Sequence, residues 1–344
     1  MIVSIKTIDK LIIHGIGNKS NGNGIQFSNK TSEFGEIESY FIEQVQKAFK
    51  FEEFFQLYFT YDINLNPVYH FIDNLFNENN NFIDVSQAIA KHLYNQSTHS
   101  KIKDGELYIV YLKDCTVDGV ITDAIGMFKS ETKDTFIKAY PNDESYKIEC
   151  EKGININKLD KGCLIFNLEK ENGYMVSVVD NTNKGAEAKY WTDDFLHVKP
   201  RKDEYHNTQN VMSLCKNFIK EGLPEELDIS KADQVDFLNK AVEYFKKNED
   251  FDMSDFKKVV MRKPEVAESF DQYKSESEFA RELAVLDRFS ISEAAVKKQA
   301  RALKSVIKLD KNFHIYVHGD RDMIEQGTDE EGRKYYKIYY TEES

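Results

Sequence analysis

The chain has 344 residues, is 41% hydrophobic and carries a formal net charge of −13. A chain of this length is longer than a single hydrophobic core usually supports, so we expect two domains. The excess of acidic residues argues against a surface that is positively charged throughout and binds nucleic acid. No stretch approaches the roughly 20 apolar residues that span a bilayer. The first fifteen residues alternate as in a strand and do not resemble a signal peptide, so we predict a cytoplasmic protein without membrane contact.

Strand patterns dominate the first 200 residues. The dipeptide Asp118-Gly119 lies between two apolar runs and is typical of a tight hairpin turn. Apolar residues at helical spacing predict helices from near residue 36, around 85–93 and over 185–198. The segment 51–59 is dense in aromatic residues and fits either a helix or a strand. The expected strands are two short ones within 2–16, then 25–27, 106–113, 120–129, 135–140, 146–150, 163–168 and 174–180.

The polar stretch 199–210 marks a domain boundary, because helical patterns replace strand patterns after it. Ser230 with Asp233 predicts the N-terminal cap of a helix. The expected elements are helices at 211–219, after 230, on both sides of Pro264 and from about 292, and strands at 312–318 and 335–340. We therefore predict an α+β protein. A mixed, largely antiparallel sheet domain over 1–200 precedes a helix-rich domain over 201–344, which ends in a β-hairpin.

The sequence HGIGNKSNGNG at 14–24 raises the question of a phosphate-binding loop. A Walker loop needs GxxxxGK[ST]; Gly17 and Gly22 have the spacing, but Asn-Gly follows where Lys and Ser/Thr are required. A dinucleotide-binding loop needs GxGxxG, and Ser20 occupies the position of its third glycine. No helix pattern opens directly afterwards to offer an N-terminus to a pyrophosphate. We therefore interpret the segment as a turn between strands.

No catalytic, cofactor-binding or metal-binding motif is predicted. His314 and His318 lie on a strand pattern, where four residues span about 13 Å, too far for shared chelation. A restriction-type nuclease needs E/D-x-K, but Cys150 stands two residues before Lys152, where the acid is required. The four cysteines form no Cys-x-x-Cys pair, so we expect buried thiols. We expect no enzymatic activity, with a metal-dependent nuclease left open.

One local charge pattern predicts an interface. The stretch 297–321 has seven basic and two acidic residues, whereas 221–255 has four lysines and eleven acids. If the helix from 292 continues through 308, residues 297, 301, 304 and 308 form one stripe that matches phosphates spaced by about 1.7 Å along a duplex. The alternative is a solvated face, or one that pairs with the protein's own acidic stretch. The candidate nucleic-acid-binding residues are Lys297, Lys298, Arg301, Lys304, Lys308, Lys311 and Arg321.

Three segments together resemble the bacterial nucleoid-associated protein family (NdpA-like). They are IIHGIGNKSN at 12–21, GELYIVYLKDCTVDGVITDAIGMFKSE at 105–131 and ISEAAVKKQARALKSVIKLDKNFHIYVHGDRD at 291–322. The order of elements also fits, so the resemblance covers nearly the whole chain. It implies association with the bacterial chromosome and DNA binding, and it supplies no catalytic residues.

These observations together predict a non-enzymatic protein that binds nucleoid DNA mainly through phosphates. We expect double-stranded DNA and weak sequence preference, because only seven of the 46 basic residues are arginine, the usual bidentate reader of guanine. The alternative is an acidic interaction or assembly factor that a partner recruits to the nucleoid. Exposed aromatic patches at 51–59 and 335–340 would serve that role. A homodimer also remains open.

Overall fold

The computed structural model of the chain describes residues 1–77, 81–155, 157–182, 189–223, 227, 229–281, 285–303, 306–317 and 321–342. Backbone contacts divide the chain into two compact units, Met1–Arg201 and Lys202–Ser344. We call them the N-terminal unit and the C-terminal unit.

The N-terminal unit is built around one antiparallel sheet. Its described strands are β1 (Val3–Ser4), β2 (Thr7–Ile16), β3 (Ile25–Gln26), β4 (Phe55–Leu57), β5 (Gly105–Val117), β6 (Val120–Ser130), β7 (Lys133–Asn142), β8 (Ser145–Ile154), β9 (Lys161–Phe166), β10 (Met175–Asp180) and β11 (Val198–Pro200). The sheet has the order β11-β4-β10-β9-β6-β5-β2-β3, and β1 pairs with β5. The remaining strands, β7 and β8, pair only with each other among the described residues and form a separate hairpin.

Helices cover both faces of this sheet. They are α1 (Glu38–Ala48), α2 (Pro67–Asn77), α3 (Phe82–Gln96) and a π-helical turn at Tyr190–Leu196. One side of β5 places Ile109 in the cluster formed with α2, α3 and the π-helical turn, and the other side places Val110 in the cluster formed with α1. Because both faces are buried, the central strand is a nearly continuous apolar run rather than an alternating one. The hairpin turn at Asp118-Gly119 is confirmed, since both residues have positive φ.

Two lysines are fully buried in the N-terminal unit. Lys129 donates to the carbonyl oxygen of Lys103 at 2.8 Å, to Glu131 Oε1 at 2.9 Å and to the Tyr190 hydroxyl at 3.1 Å. Lys161 donates to both carboxylate oxygens of Asp180, at 2.8 and 2.9 Å. Each buried cation therefore has a carboxylate partner, as burial requires. Burial lowers the pKa of Lys129, and the neighbouring Glu131 carboxylate opposes this effect.

Two features of this unit differ from the sequence-based predictions. The helix α2 was not predicted, and the segment 51–59 contributes β4 and buries Phe51, Phe54 and Leu57 in the core. The hypothesis of an exposed aromatic patch at 51–59 is therefore wrong, because those rings pack against the sheet. The predicted helix over 185–198 corresponds to the π-helical turn, and its first part lies outside the described residues.

The C-terminal unit is mainly helical. Its described helices are α4 (Glu204–Asn217), α5 (Lys231–Lys247), α6 (Met253–Phe256), α7 (Pro264–Arg281) and α8 (Glu293–Ala302). Its described strands form three antiparallel pairs, namely β12 (Asp250–Asp252) with β13 (Arg288–Ser290), β14 (Val306–Leu309) with β15 (Phe313–Tyr316), and β16 (Ile324–Thr328) with β17 (Lys334–Ile338). The predicted cap at Ser230 and Asp233 is confirmed as a reciprocal capping box. The predicted fold class is confirmed: a largely antiparallel sheet precedes helices, and a strand pair ends the described chain.

The helix predicted from about 292 is present, but it does not continue through 308, which was the condition for a single charge stripe. Helix α8 begins after Ser292, whose hydroxyl accepts the Ala295 N–H, and ends at Ala302. The chain then enters β14, where Ile307 pairs with Ile315 and is buried against α5. Burial of alternate residues in a strand pair therefore outweighs the helical pattern of the charges. Lys308 consequently does not extend a stripe along α8.

Candidate nucleic-acid interface

A groove of about 640 Å³ lies in the C-terminal unit. It is bounded by the turn that follows α4, the first turns of α5, the end of α8 and the β14–β15 hairpin. Its basic side chains are Lys220, Lys231, Arg301, Lys308 and His314. Among the described residues that line it, there is no aspartate or glutamate. We call this surface the basic groove.

The β14–β15 pairing sets one wall of the basic groove. Lys308 is opposite His314 in the register, and Val306 is opposite Tyr316. Cross-strand partners share a face of the sheet, so these side chains stand together on the groove side. Ile307 belongs to the alternate face and is buried in a cluster with Val235 of α5. Ile307 thus anchors the hairpin to α5, and it lines the groove together with Lys308 and His314.

No carboxylate among the described residues neutralises the lysines and the arginine of the basic groove. Within the described part of the chain, Lys220, Arg301 and Lys308 form no ion pair, and Lys231 donates to the uncharged Gln234 Oε1 at 2.9 Å. By contrast, Lys240, two turns further along α5, pairs with Asp236. The described residues therefore leave the positive charge of the groove without a carboxylate partner.

The structure brings together two of the seven predicted residues, Arg301 and Lys308. Lys297, Lys298 and Lys311 are exposed but do not line the groove, and the Lys298 Nζ lies 5.4 Å from the centre of the Tyr205 ring. Lys304 and the side chain of Arg321 lie outside the described residues. The charges come from four elements rather than from one helix.

Sequence reasoning missed Lys220 and Lys231. Both border or lie within the stretch 221–255, where acids outnumber lysines. The fold separates these charges, because Asp233 is held in the cap of α5 and Asp236 is paired with Lys240. Lys231 follows directly after the capping residue Ser230, so the predicted cap already placed it in the first turn of α5.

The glycine-rich segment 17–24 is a turn between β2 and β3, as predicted. The buried Asn18 side chain accepts the Ser20 N–H at 2.8 Å and donates to the carbonyl oxygens of His99 and Ile102. The Gly17 N–H donates to the Gly24 carbonyl oxygen at 2.9 Å. These amides are engaged within the turn, so they do not form a cradle for phosphate.

His14, which precedes this turn, is buried and fixes its surroundings. Its Nδ1 accepts the Ser28 N–H at 3.1 Å, so its Nε2 carries the proton and donates to the Ser86 hydroxyl at 3.0 Å. The hydroxyl donates in turn to the Ile83 carbonyl oxygen. Burial lowers the pKa of His14, which keeps the ring neutral. The residue therefore joins β2 to α3 in a structural role.

Comparison with known protein families shows to which family the chain belongs. The family model for the nucleoid-associated protein YejK (NA37) matches residues 12–333. The chain belongs to the YejK family of nucleoid-associated proteins. The sequence-based resemblance to nucleoid-associated proteins is confirmed, and its three segments at 12–21, 105–131 and 291–322 all lie within the matched range. No curated protein sequence matches the chain.

The described residues of this YejK-family chain offer neither a membrane-spanning helix nor a metal-binding cluster. None of its described helices has both the length and the apolar character required to cross a bilayer. Over the same residues, no three His, Cys, Asp or Glu side chains are grouped so as to hold a metal ion.

Proposed function

We propose that this YejK-family protein binds nucleoid DNA through phosphate contacts made by the basic groove. The proposal rests on one observation: a concave surface has four basic side chains and no carboxylate in its described lining. The basic residues are Lys220, Lys231, Arg301 and Lys308. Each cation that neutralises a phosphate releases condensed counterions, which is the main source of sequence-independent affinity.

Further basic residues extend the proposed contact surface beyond the groove. Lys297 lies one helical turn before Arg301 on α8, so both side chains share a face of that helix. Lys298 and Lys311 are exposed in the same unit. We keep Lys304 and Arg321 in the proposed set because of their place in the basic stretch 297–321. The double helix is the proposed ligand, since its phosphates offer the highest density of regularly spaced charge.

The remaining charge of the protein limits this interaction. A net charge of −13 repels DNA at long range, so affinity should be moderate and strongly dependent on salt. Phosphate contacts carry no sequence information, and the groove offers a single arginine to base edges. We therefore propose weak sequence preference and no catalytic step.

The test is a titration of labelled duplex DNA, followed by fluorescence anisotropy, with the native protein and two double variants. Arg301→Gln/Lys308→Gln removes two groove charges, and we expect affinity to fall on the order of 10- to 100-fold at about 0.1 M salt. Lys246→Gln/Lys247→Gln removes the same charge from the exposed far end of α5 and is the matched control. We expect a much smaller loss for this control.

The pattern across variants and sequences decides the outcome. Equal losses in the two variants would mean that net charge alone governs binding, which rejects the groove. Undiminished binding by a folded groove variant would reject it as well. We expect the groove variant to lose affinity equally for duplexes of unrelated sequence, because its contacts are with phosphates.

A further inference from the structure

A cavity of about 470 Å³ lies in the N-terminal unit, between α1 and the face of the sheet that α1 covers. Its lining is mainly apolar and aromatic and includes Leu11, Ile13, Phe41, Val45, Tyr108 and Phe128. A volume and a lining of this kind are typical of sites that bind small organic molecules. We call it the apolar cavity.

Two buried oxygen atoms beside the apolar cavity have no hydrogen-bond partner among the described residues. One is Oγ of Ser130, which lines the cavity and is 8% exposed, and the other is Oε2 of Glu106. Ser130 on β6 and Glu106 on β5 are cross-strand partners, so their side chains lie on one face of the sheet. Tyr108 and Phe128, the next pair on this face, stand in the cavity wall. Since burial of an unpaired polar group costs free energy, the two oxygens point to a hydrogen-bond donor from a bound molecule.

The surface next to Ser130 is negatively charged. Ser130 also lines a polar cleft, in which the described charged residues are three acids and one lysine, namely Asp104, Glu106, Glu131 and Lys133. The Lys133 Nζ lies 2.6 Å from Glu106 Oε1, so one carboxylate oxygen is engaged and Oε2 is not. The negative charge reaches the apolar cavity, since burial and the Glu106 carboxylate together raise the pKa of Tyr108 to about 12. A positively charged donor therefore fits this place better than a neutral or a negative group.

We propose that the apolar cavity binds a small organic amine, with its apolar ring or chain among the aromatic residues and its ammonium group at Ser130 and Glu106. An ammonium group has three N–H donors and no acceptor, so it can donate to the Ser130 hydroxyl and to Glu106 Oε2. Burial of the apolar part supplies affinity, and the two oxygens select a positive charge. The site lies within the N-terminal unit, so this proposal is independent of DNA binding by the basic groove.

The test is isothermal titration calorimetry of the full chain with three naphthalene compounds of similar size, at about pH 7. They are naphthylmethylamine, a cation, naphthylmethanol, which is neutral, and naphthoate, an anion, all substituted at the same ring carbon. We expect the amine to bind at least about 10-fold more tightly than the alcohol, because hydrogen bonds of ionised groups are stronger, and the anion to bind most weakly. An amine that does not bind at about 1 mM would overturn the proposal, and so would an anion that binds as tightly as the amine.

Substitutions at the two oxygens test the polar contacts. Ser130→Ala removes the hydroxyl, and we expect the affinity for the amine to fall by about 3- to 10-fold. The stability of the protein without the amine should not fall, because the hydroxyl has no partner to lose among the described residues. Glu106→Gln removes the negative charge, so the amine should lose about 10-fold in affinity and its advantage over the alcohol. Glu43→Gln makes the same change at an exposed residue of α1 and is the matched control, with no effect expected.

Filling the cavity tests the apolar contacts. Ile13→Trp enlarges a side chain in the cavity wall, and the folded variant, checked by circular dichroism, should bind none of the three compounds. Binding that persists in this variant would place the compounds elsewhere and overturn the proposal. So would an unchanged affinity for the amine in both Ser130→Ala and Glu106→Gln, or a loss in Glu43→Gln as large as that in Glu106→Gln.

Discussion

Lys308 on β14 and His314 on β15 are cross-strand partners, and both line the basic groove. The two residues pair because the chain forms the short strand β14 after α8 and does not continue the helix. In the strand, Ile307 packs against α5 at the bottom of the groove, and Lys308 lines the groove opposite His314. The candidate interface of this YejK-family protein is thus produced by hairpin geometry, which brings Lys308 to Arg301, Lys220 and Lys231.

The glycine turn at 17–24 gives a prediction about close packing. A Cβ atom added at Gly17 would lie 2.5 Å from the Gly24 carbonyl oxygen, whereas one added at Gly24 would meet nothing within 4 Å. We expect Gly17→Ala to lower the free energy of unfolding by about 1–3 kcal/mol and Gly24→Ala by less than about 0.5 kcal/mol. Urea denaturation followed by the fluorescence of Trp191, which is buried in the N-terminal unit, measures both. Equal effects would contradict the structure.

The titration of three histidines should make the stability of the N-terminal unit depend on pH. Burial lowers the pKa of His14, His92 and His197 below 6.5. As pH falls through 6.5, these histidines take up protons in the unfolded chain before the folded one, so the free energy of unfolding falls. His14 is fully buried and contributes up to about 1.4 kcal/mol per pH unit below this value.

Replacing His14 isolates its share of this effect. We expect Trp191-monitored urea curves of the native protein to show falling stability from about pH 7.5 to about pH 5.5. The variant His14→Gln keeps a donor and an acceptor but cannot titrate, so its stability should change less over the same interval. Parallel pH profiles for the two proteins would show that His14 is not held neutral by burial.

The buried ion pair of Lys129 and Glu131 gives a third stability prediction. Lys129→Met leaves the Glu131 carboxylate buried without its cation, and we expect a loss of about 3–5 kcal/mol. The control is Lys47→Met, which removes the exposed partner of Glu43 on α1 and should cost less than about 1 kcal/mol. Both are measured by Trp191 fluorescence in urea. Similar costs for the two variants would contradict the importance of burial.

Much of the fold was predictable because local chemistry and tertiary packing agree. Asp118-Gly119 has the residues that a tight hairpin turn requires, and Ser230 with Asp233 has those of a capping box. The helix α2 was missed although Val68, Ile72 and Leu75, which are all fully buried, fall at helical spacing.

The candidate site was predictable only in part. Local charge counting found Arg301 and Lys308 because they lie in one basic stretch, but it assigned them to one helix. It missed Lys220 and Lys231 because a count of charges along the chain includes Asp233 and Asp236 as neighbours. In the structure, Asp233 forms the capping box of α5 and Asp236 pairs with Lys240. Burial of Ile307 against α5 decided the strand, and this contact with Val235, which lies far away along the chain, has no local signal.

The salt dependence of DNA binding tests the central claim most directly. Each phosphate that a cation neutralises contributes about −0.9 to the slope of the logarithm of the association constant against the logarithm of the salt concentration. If the four groove cations contact four phosphates, this slope is about −3.6 or steeper. Lys220→Gln/Lys231→Gln should make this slope shallower by about 1.8, while Lys246→Gln/Lys247→Gln should leave it unchanged. An unchanged slope in the groove variant, or no binding by the native protein at low salt, would contradict DNA binding by the basic groove.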